Sequence, residues 1–176
     1  MGLPEKPGLV KRFCGLLYRE ETVYQQARVR LESYWGRVDD EAGPWPFTFT
    51  RYYEPEMGPE LKRKFLSFQE LVSPENGFSW KILTNELEQE FLTRQRQRQV
   101  NLDPGYLDLA RVVLFTTKDF SHRIYMSQGI YAEITLLFHQ GKFQPLPWTY
   151  PDYQTEQYLK FFSWVREKYR QQIKSG

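Results

Sequence analysis

The densest chemistry in this sequence lies in Thr116-Thr117-Lys118-Asp119-Phe120-Ser121-His122-Arg123-Ile124-Tyr125. Its side chains suit an anion: a guanidinium fork from Arg123, a point charge from Lys118 and a hydroxyl from Thr117. If His122 opens a strand, its ring lies on the face opposite Arg123. The two could then share one phosphate only across a twist or a bulge. The competing reading is a solvated turn entering a hairpin. His122 is also the better of the two histidines for proton transfer, because imidazole titrates near neutrality. Asp119, Asp103, Asp108 and Glu133 are candidates to orient it. Glu133 stands among Ile130, Tyr131, Ala132, Ile134 and Thr135, where a carboxylate faces either water or a pocket.

Other stretches carry weaker signals. In Asn101-Leu102-Asp103-Pro104-Gly105-Tyr106-Leu107-Asp108 two acids flank what reads as a tight turn, with Asp103 satisfying local amides. No calcium-loop or His-Glu-x-x-His pattern occurs, and a single cysteine, Cys14, excludes an internal disulfide or a cysteine-cluster metal site. No metal ligands are therefore named, and metal content and any cofactor stay open. Neither nucleotide-binding glycine motif is present, which disfavours a nucleotide-hydrolysing switch. Arg94-Gln95-Arg96-Gln97-Arg98 is the one local basic run and reads as a solvated helix terminus. Trp148-Thr149-Tyr150-Pro151-Asp152-Tyr153 could rim a pocket, with Asp152 free to hydrogen bond.

These residues need elements to hold them. Leu9 to Tyr18 reads as a buried strand, with Gly15 allowing close approach. Tyr24, Ala27, Leu31 and Tyr34 fall at helical spacing, and Gly36 suits the helix end. Trp45, Phe47 and Phe49 alternate as a strand with prolines at its start, and Lys64 to Val72 reads as another. Ser73-Pro74-Glu75 signals a helix start before the stripe Trp80, Leu83, Leu87, Phe91. Val100 to Leu102 supplies a closing strand, turned by Asp103-Pro104-Gly105. The segment Asp108 to Phe115 suits a short helix or a strand. Ser121 to Met126 and Ile130 to Phe138 form a hairpin across Ser127-Gln128-Gly129, with a second turn at Gln140-Gly141. Thr155 precedes a last helix with the stripe Tyr158, Phe162, Val165, Tyr169, Ile173. The order predicts an α+β single domain with a ferredoxin-like βαββαβ core and an added C-terminal β-hairpin and helix. Residues 1–8 read as a flexible leader and 9–176 as one globular domain.

At 176 residues with 40% hydrophobic and 17% aromatic content, a packed core is within reach and global disorder is excluded. The net charge of +2 is too balanced to imply a polyanionic partner, so nucleic acid is disfavoured. No apolar run is long enough for a membrane helix and the N-terminus lacks a signal peptide's apolar region, so a cytoplasmic, non-membrane protein is expected.

Several stretches together resemble an uncharacterised bacterial family, the domain of unknown function 4416. They include Phe13-Cys14-Gly15-Leu16-Leu17-Tyr18, Pro46-Phe47-Thr48-Phe49-Thr50-Arg51-Tyr52-Tyr53 and Lys62-Arg63-Lys64-Phe65-Leu66-Ser67-Phe68. Asn101 to Leu107, Thr117-Lys118-Asp119, Gly129 to Thr135 and Pro147 to Tyr153 continue the likeness. Members are sometimes labelled GTP-binding, an activity that the missing phosphate loop argues against here. The resemblance implies no reaction, but it draws attention to polar residues that packing alone does not need: Asn85, Glu86, Asp103, Tyr106, Lys118, His122, Arg123, Tyr125, Glu133, Thr149 and Asp152. The expectation is that some converge on one cleft binding a small anionic ligand, phosphate-bearing ones included. Thr117, Lys118, Arg123, Tyr125, Asp103, Tyr106 and Asp152 are the candidate contacts. The alternatives are an acid-base enzyme using His122 with Glu133, and a nucleic-acid or protein-interaction module using Arg94, Arg96 and Arg98. Whether the protein is an enzyme, and its oligomeric state, stay open.

Overall fold

A computed structural model describes residues 2–175, with the side chain of Ser175 outside the description. Strand β1 (Val10–Tyr18) is buried along its whole length and sends alternate side chains to opposite faces. Cys14, Leu16 and Tyr18 enter one core, while Phe13 enters the other. Helix α1 (Glu21–Trp35) covers the first face with Val23, Tyr24, Ala27, Leu31 and Trp35. Its apolar stripe ends on Trp35, because Tyr34 is exposed. Gly36 closes the helix at φ +82°, its N–H donating to the Glu32 carbonyl, a conformation that glycine adopts without steric cost.

Strand β2 runs over Val38–Pro46, so the strand expected at Trp45 to Phe49 begins and ends earlier. Its acidic start disguised it. Asp39 accepts from Lys11 and Ser67, and Glu41 from Arg28 and Lys64, so sequence-polar residues lie within a sheet. A short helix, α2 (Glu54–Met57), precedes β3 (Lys62–Val72). Ser73 caps a single 3₁₀ turn, and α3 follows over Gly77–Glu90.

Strand β4 continues straight from Val100 to Leu107, which corrects the turn expected at Asp103-Pro104-Gly105. Pairing decides the matter. Every residue of β4 faces a residue of β1, while β5 (Arg111–Thr116) joins only from Gly105 onward. Pro104 therefore sits where one edge of the strand is still unpaired and needs no amide donor. The turn falls at Asp108 instead, whose Oδ1 accepts from the Ala110 and Arg111 amides. Strands β6 (Ile124–Ser127), β7 (Ile130–His139) and β8 (Lys142–Pro145) are joined by two-residue turns. Positive φ at Gln128-Gly129 and at Gln140-Gly141 matches the type I′ geometry that suits strand twist. Helix α4 (Glu156–Ser175) closes the chain. Tyr158, Phe162, Val165 and Tyr169 of its expected stripe are buried, and Ile173 is exposed.

The sheet order is β2-β3-β1-β4-β5-β7-β6, with β8 also on β7, and every pairing is antiparallel. Residues of α1 and α3 pack on one face and α4 on the other, which gives an α+β fold in three layers. Among the described residues no helix is long and apolar enough to cross a membrane. One end of the sheet, where β1 and β5 finish and β3, β4 and β7 begin, opens into a cleft.

Candidate functional site

The cleft has a volume of about 1040 Å³. Its walls come from the segment before and within α2, one face of α3, the loop 92–98, the ends of β3, β4, β5 and β7, and the turn at Tyr150–Tyr153. Its floor is an ionic lattice. Arg63 Nη1 lies 2.9 Å from Asp103 Oδ2, and its Nη2 lies 3.7 Å from Asp152. Lys81 Nζ stands 3.9 Å from both Asp103 and Glu88 and donates to the Leu102 carbonyl at 2.7 Å. Glu88 accepts from the Leu102 amide at 2.7 Å and faces Arg98 at 3.3 Å; Arg98 in turn reaches Glu56 at 2.8 Å.

Sequence and fold together explain why charges can be held so deep. Gly15 on β1 lies under Arg63, where a Cβ would stand 3.1 Å from Nη1 and 2.9 Å from the Phe65 ring. Only glycine leaves the guanidinium this bed, which is the close approach expected of that residue. Lys81, Thr84 and Glu88 share a buried face of α3 through their helical spacing. Burial raises the carboxyl of Asp103, but Arg63 and Lys81 outweigh it and hold the group below the usual carboxylate range. Asp152 moves the other way. Burial pushes it up, Arg63 offsets this only partly, and the charge on Asp103 adds to the rise. Burial likewise raises Glu88. Among the described residues, Arg98 Nε and the Tyr153 hydroxyl are buried on cleft-lining side chains without a hydrogen bond.

The loop after β5 builds the rim. Thr116 Oγ1 accepts from the Lys118 amide, and the Phe120 carbonyl from the Arg123 amide, so the loop folds on itself. Because β6 starts only at Ile124, His122 and Arg123 belong to this loop and both reach Glu133. Arg123 Nε donates to Glu133 Oε2 at 2.6 Å, Nη1 to the Lys118 carbonyl and Nη2 to the Tyr150 hydroxyl. His122 Nε2 lies 3.2 Å from the same Glu133 oxygen, with its ring stacked 5.3 Å from Trp148. Thr135 donates to the other Glu133 oxygen.

Of the expected contacts, Thr117, Lys118, Arg123, Glu133, Asp103 and Asp152 line this one cleft. His122 adjoins it through Glu133 without being part of its lining. Tyr125 and Tyr106 lie elsewhere: Tyr125 stacks edge-on against Tyr131, and Tyr106 packs on Phe115 in the core under α1 and α3. Thr149 holds the Thr135 carbonyl, a structural bond, and Glu86 is exposed outside the cleft while Asn85 lines it. The basic run divides, since Arg98 enters the ion lattice and Arg96 remains exposed at the mouth. Arg63, Lys81, Glu88, Asn101 and Tyr53 were not anticipated. The signal available for Lys81 and Glu88 was their seven-residue spacing on a helix, which puts both on one face.

Three features define the class: an antiparallel α+β sheet clad on both faces, a deep cleft at one strand end, and a charge-compensated floor. The chain belongs to the family described as "Domain of unknown function (DUF4416)", whose model matches residues 8–169. No curated protein and no solved structure matches it.

Proposed function

We propose that the protein binds a small anionic ligand in this cleft. One observation carries the reading. Of the cationic side chains lining the cleft, Arg63, Lys81, Arg98 and Arg123 are each paired with a carboxylate, whereas Lys118 and Arg96 have none among the described residues. Lys118 instead lies 4.2 Å over the Tyr52 ring, an exposed contact that an anion can replace. Arg123, the expected second cation, is occupied in shaping the rim, and Arg96 takes its place. Thr117 adds a hydroxyl beside Lys118.

The strand order β2-β3-β1-β4, with α1 and α3 on one face, supports reading that half as a ferredoxin-like βαββαβ core extended by β5–β8 and α4. In this reading the cleft sits at the junction of core and extension. Equilibrium dialysis against a panel of organic phosphates and carboxylates tests the function. At least one should bind, more weakly as salt rises. The Lys118→Ala/Arg96→Ala variant should bind it at least about tenfold less tightly, because a charged hydrogen bond contributes about 1.5–3 kcal/mol. Equal affinity in that variant removes the proposal.

An acid-base reading with His122 and Glu133 has the required contact at 3.2 Å. It is the weaker of the two, since His122, the proton carrier it needs, adjoins the cleft without being part of its lining.

A further inference from the structure

The rim decides only the anionic end of the ligand; the floor describes the rest of it. We infer that the ligand of this cleft is a polyhydroxylated molecule, with its anionic group at Lys118 and Arg96 and its hydroxyls on the floor formed by Asp103, Asp152, Arg98 and Tyr153. The inference rests on the anion-binding reading and names the chemical class of the molecule.

The floor selects its occupant by complementarity. At the floor three cations (Arg63, Lys81, Arg98) meet the carboxylates of Asp103, Asp152 and Glu88, with the more exposed Glu56 also on Arg98. A net charge placed there gains from one set and loses to the other, so neither a bare phosphate nor an ammonium is favoured. The floor nonetheless has unmet hydrogen-bonding capacity. Among the described residues, Arg98 Nε is a buried donor without an acceptor, and the Tyr153 hydroxyl is unpartnered on a residue only 2% exposed. A buried polar atom left in this state is costly, and a bound group that satisfies it recovers that cost. Asp103 and Asp152 supply acceptors beside them. A hydroxyl donates to a carboxylate and accepts from an N–H through one and the same oxygen. Several hydroxyls on one small frame would satisfy the mixed floor without adding charge. Phe47, Tyr53 and Tyr150 add aromatic surface to the walls, with Arg63 lying over the Phe47 ring and Arg98 over the Tyr53 ring.

The test needs no variant for its first arm. Ribose 5-phosphate, glucose 6-phosphate and glycerol 3-phosphate are titrated calorimetrically against cyclohexyl phosphate, which carries the same anion without hydroxyls. At least one polyol phosphate should bind ten times more tightly than cyclohexyl phosphate. The second arm is Tyr153→Phe, which removes an unpartnered hydroxyl and so should melt no lower than the parent protein. It should reduce the preference for the polyol phosphate several-fold while leaving cyclohexyl phosphate binding unchanged. Cyclohexyl phosphate binding as tightly as every polyol phosphate overturns the inference and leaves the anion reading standing. An unchanged preference in Tyr153→Phe overturns the assignment of the floor. No binding of any phosphate, carboxylates included in the dialysis panel failing too, brings down both.

Discussion

Both carboxylate oxygens of Glu133 are engaged, one by Arg123 and His122 and the other by Thr135. The Arg123 and Glu133 side chains are each 2% exposed, so this is a buried pair whose members depend on one another. Removing the charge by Glu133→Gln leaves a guanidinium in the interior without its counter-ion, a defect that costs about 3–5 kcal/mol. Urea unfolding monitored by tryptophan fluorescence should show that loss; a change under about 1 kcal/mol would mean that solvent reaches Arg123 after all. The contrast with the rim is instructive. Lys118 and Arg96 are exposed and unpaired, so their removal should weaken ligand binding and barely move the unfolding midpoint. A single Glu133 substitution should lower stability and weaken ligand binding together, because Arg123 holds the Lys118 carbonyl and thereby the loop that presents its ammonium.

At the level of elements, β4 bears the heaviest constraint. A Cβ at Gly105 would stand 2.3 Å from the Val113 carbonyl oxygen and 2.7 Å from the Phe13 ring, so the strands cannot admit a side chain there. Gly105→Ala should cost at least about 1–3 kcal/mol through overpacking. Gly129→Ala meets open space and should cost only the roughly 1–2 kcal/mol of its left-handed backbone, φ +77°. Paired thermal melts compare them, and Gly105→Ala melting at or above Gly129→Ala would refute the packing argument. The same strand shows what the sequence concealed. Local turn chemistry at Asp103-Pro104-Gly105 gave way to pairing with a residue some ninety positions earlier, which no local signal reports. The hairpins around β7 were readable because Gln-Gly turns act locally. Strand β2 was not, since its acids look solvated until Lys11 and Lys64 are folded against them. Half of the site divided along the same line. Lys118, Arg123 and Glu133 clustered within one short segment, whereas Arg63 and Lys81 met Asp103 only through the sheet.

Across the molecule, the ion lattice at the cleft floor links stability to pH. Asp103 is held below the usual range, so its contribution is present above the unfolded-state value and is lost as pH falls through the folded one. Asp152 and Glu88 are raised, chiefly by burial, and have the opposite sign. Between their unfolded and folded values the native state holds more protons than the unfolded chain, so stability declines as pH rises through that window. Asp152→Asn combined with Glu88→Gln removes both groups and should flatten the decline just above the usual carboxylate range, while the acid-side loss due to Asp103 remains. Urea midpoints measured from pH 3 to pH 8 separate the two effects. If the variant and parent curves run parallel throughout, Asp152 and Glu88 take up protons alike in the folded and unfolded chain and do not link the floor to pH. If they converge at low pH and separate as pH rises, with the variant the more stable above the window, the floor is a strained site whose buried acids are kept against the stability of the fold. Strain of that kind is expected where binding, rather than packing, has selected the residues.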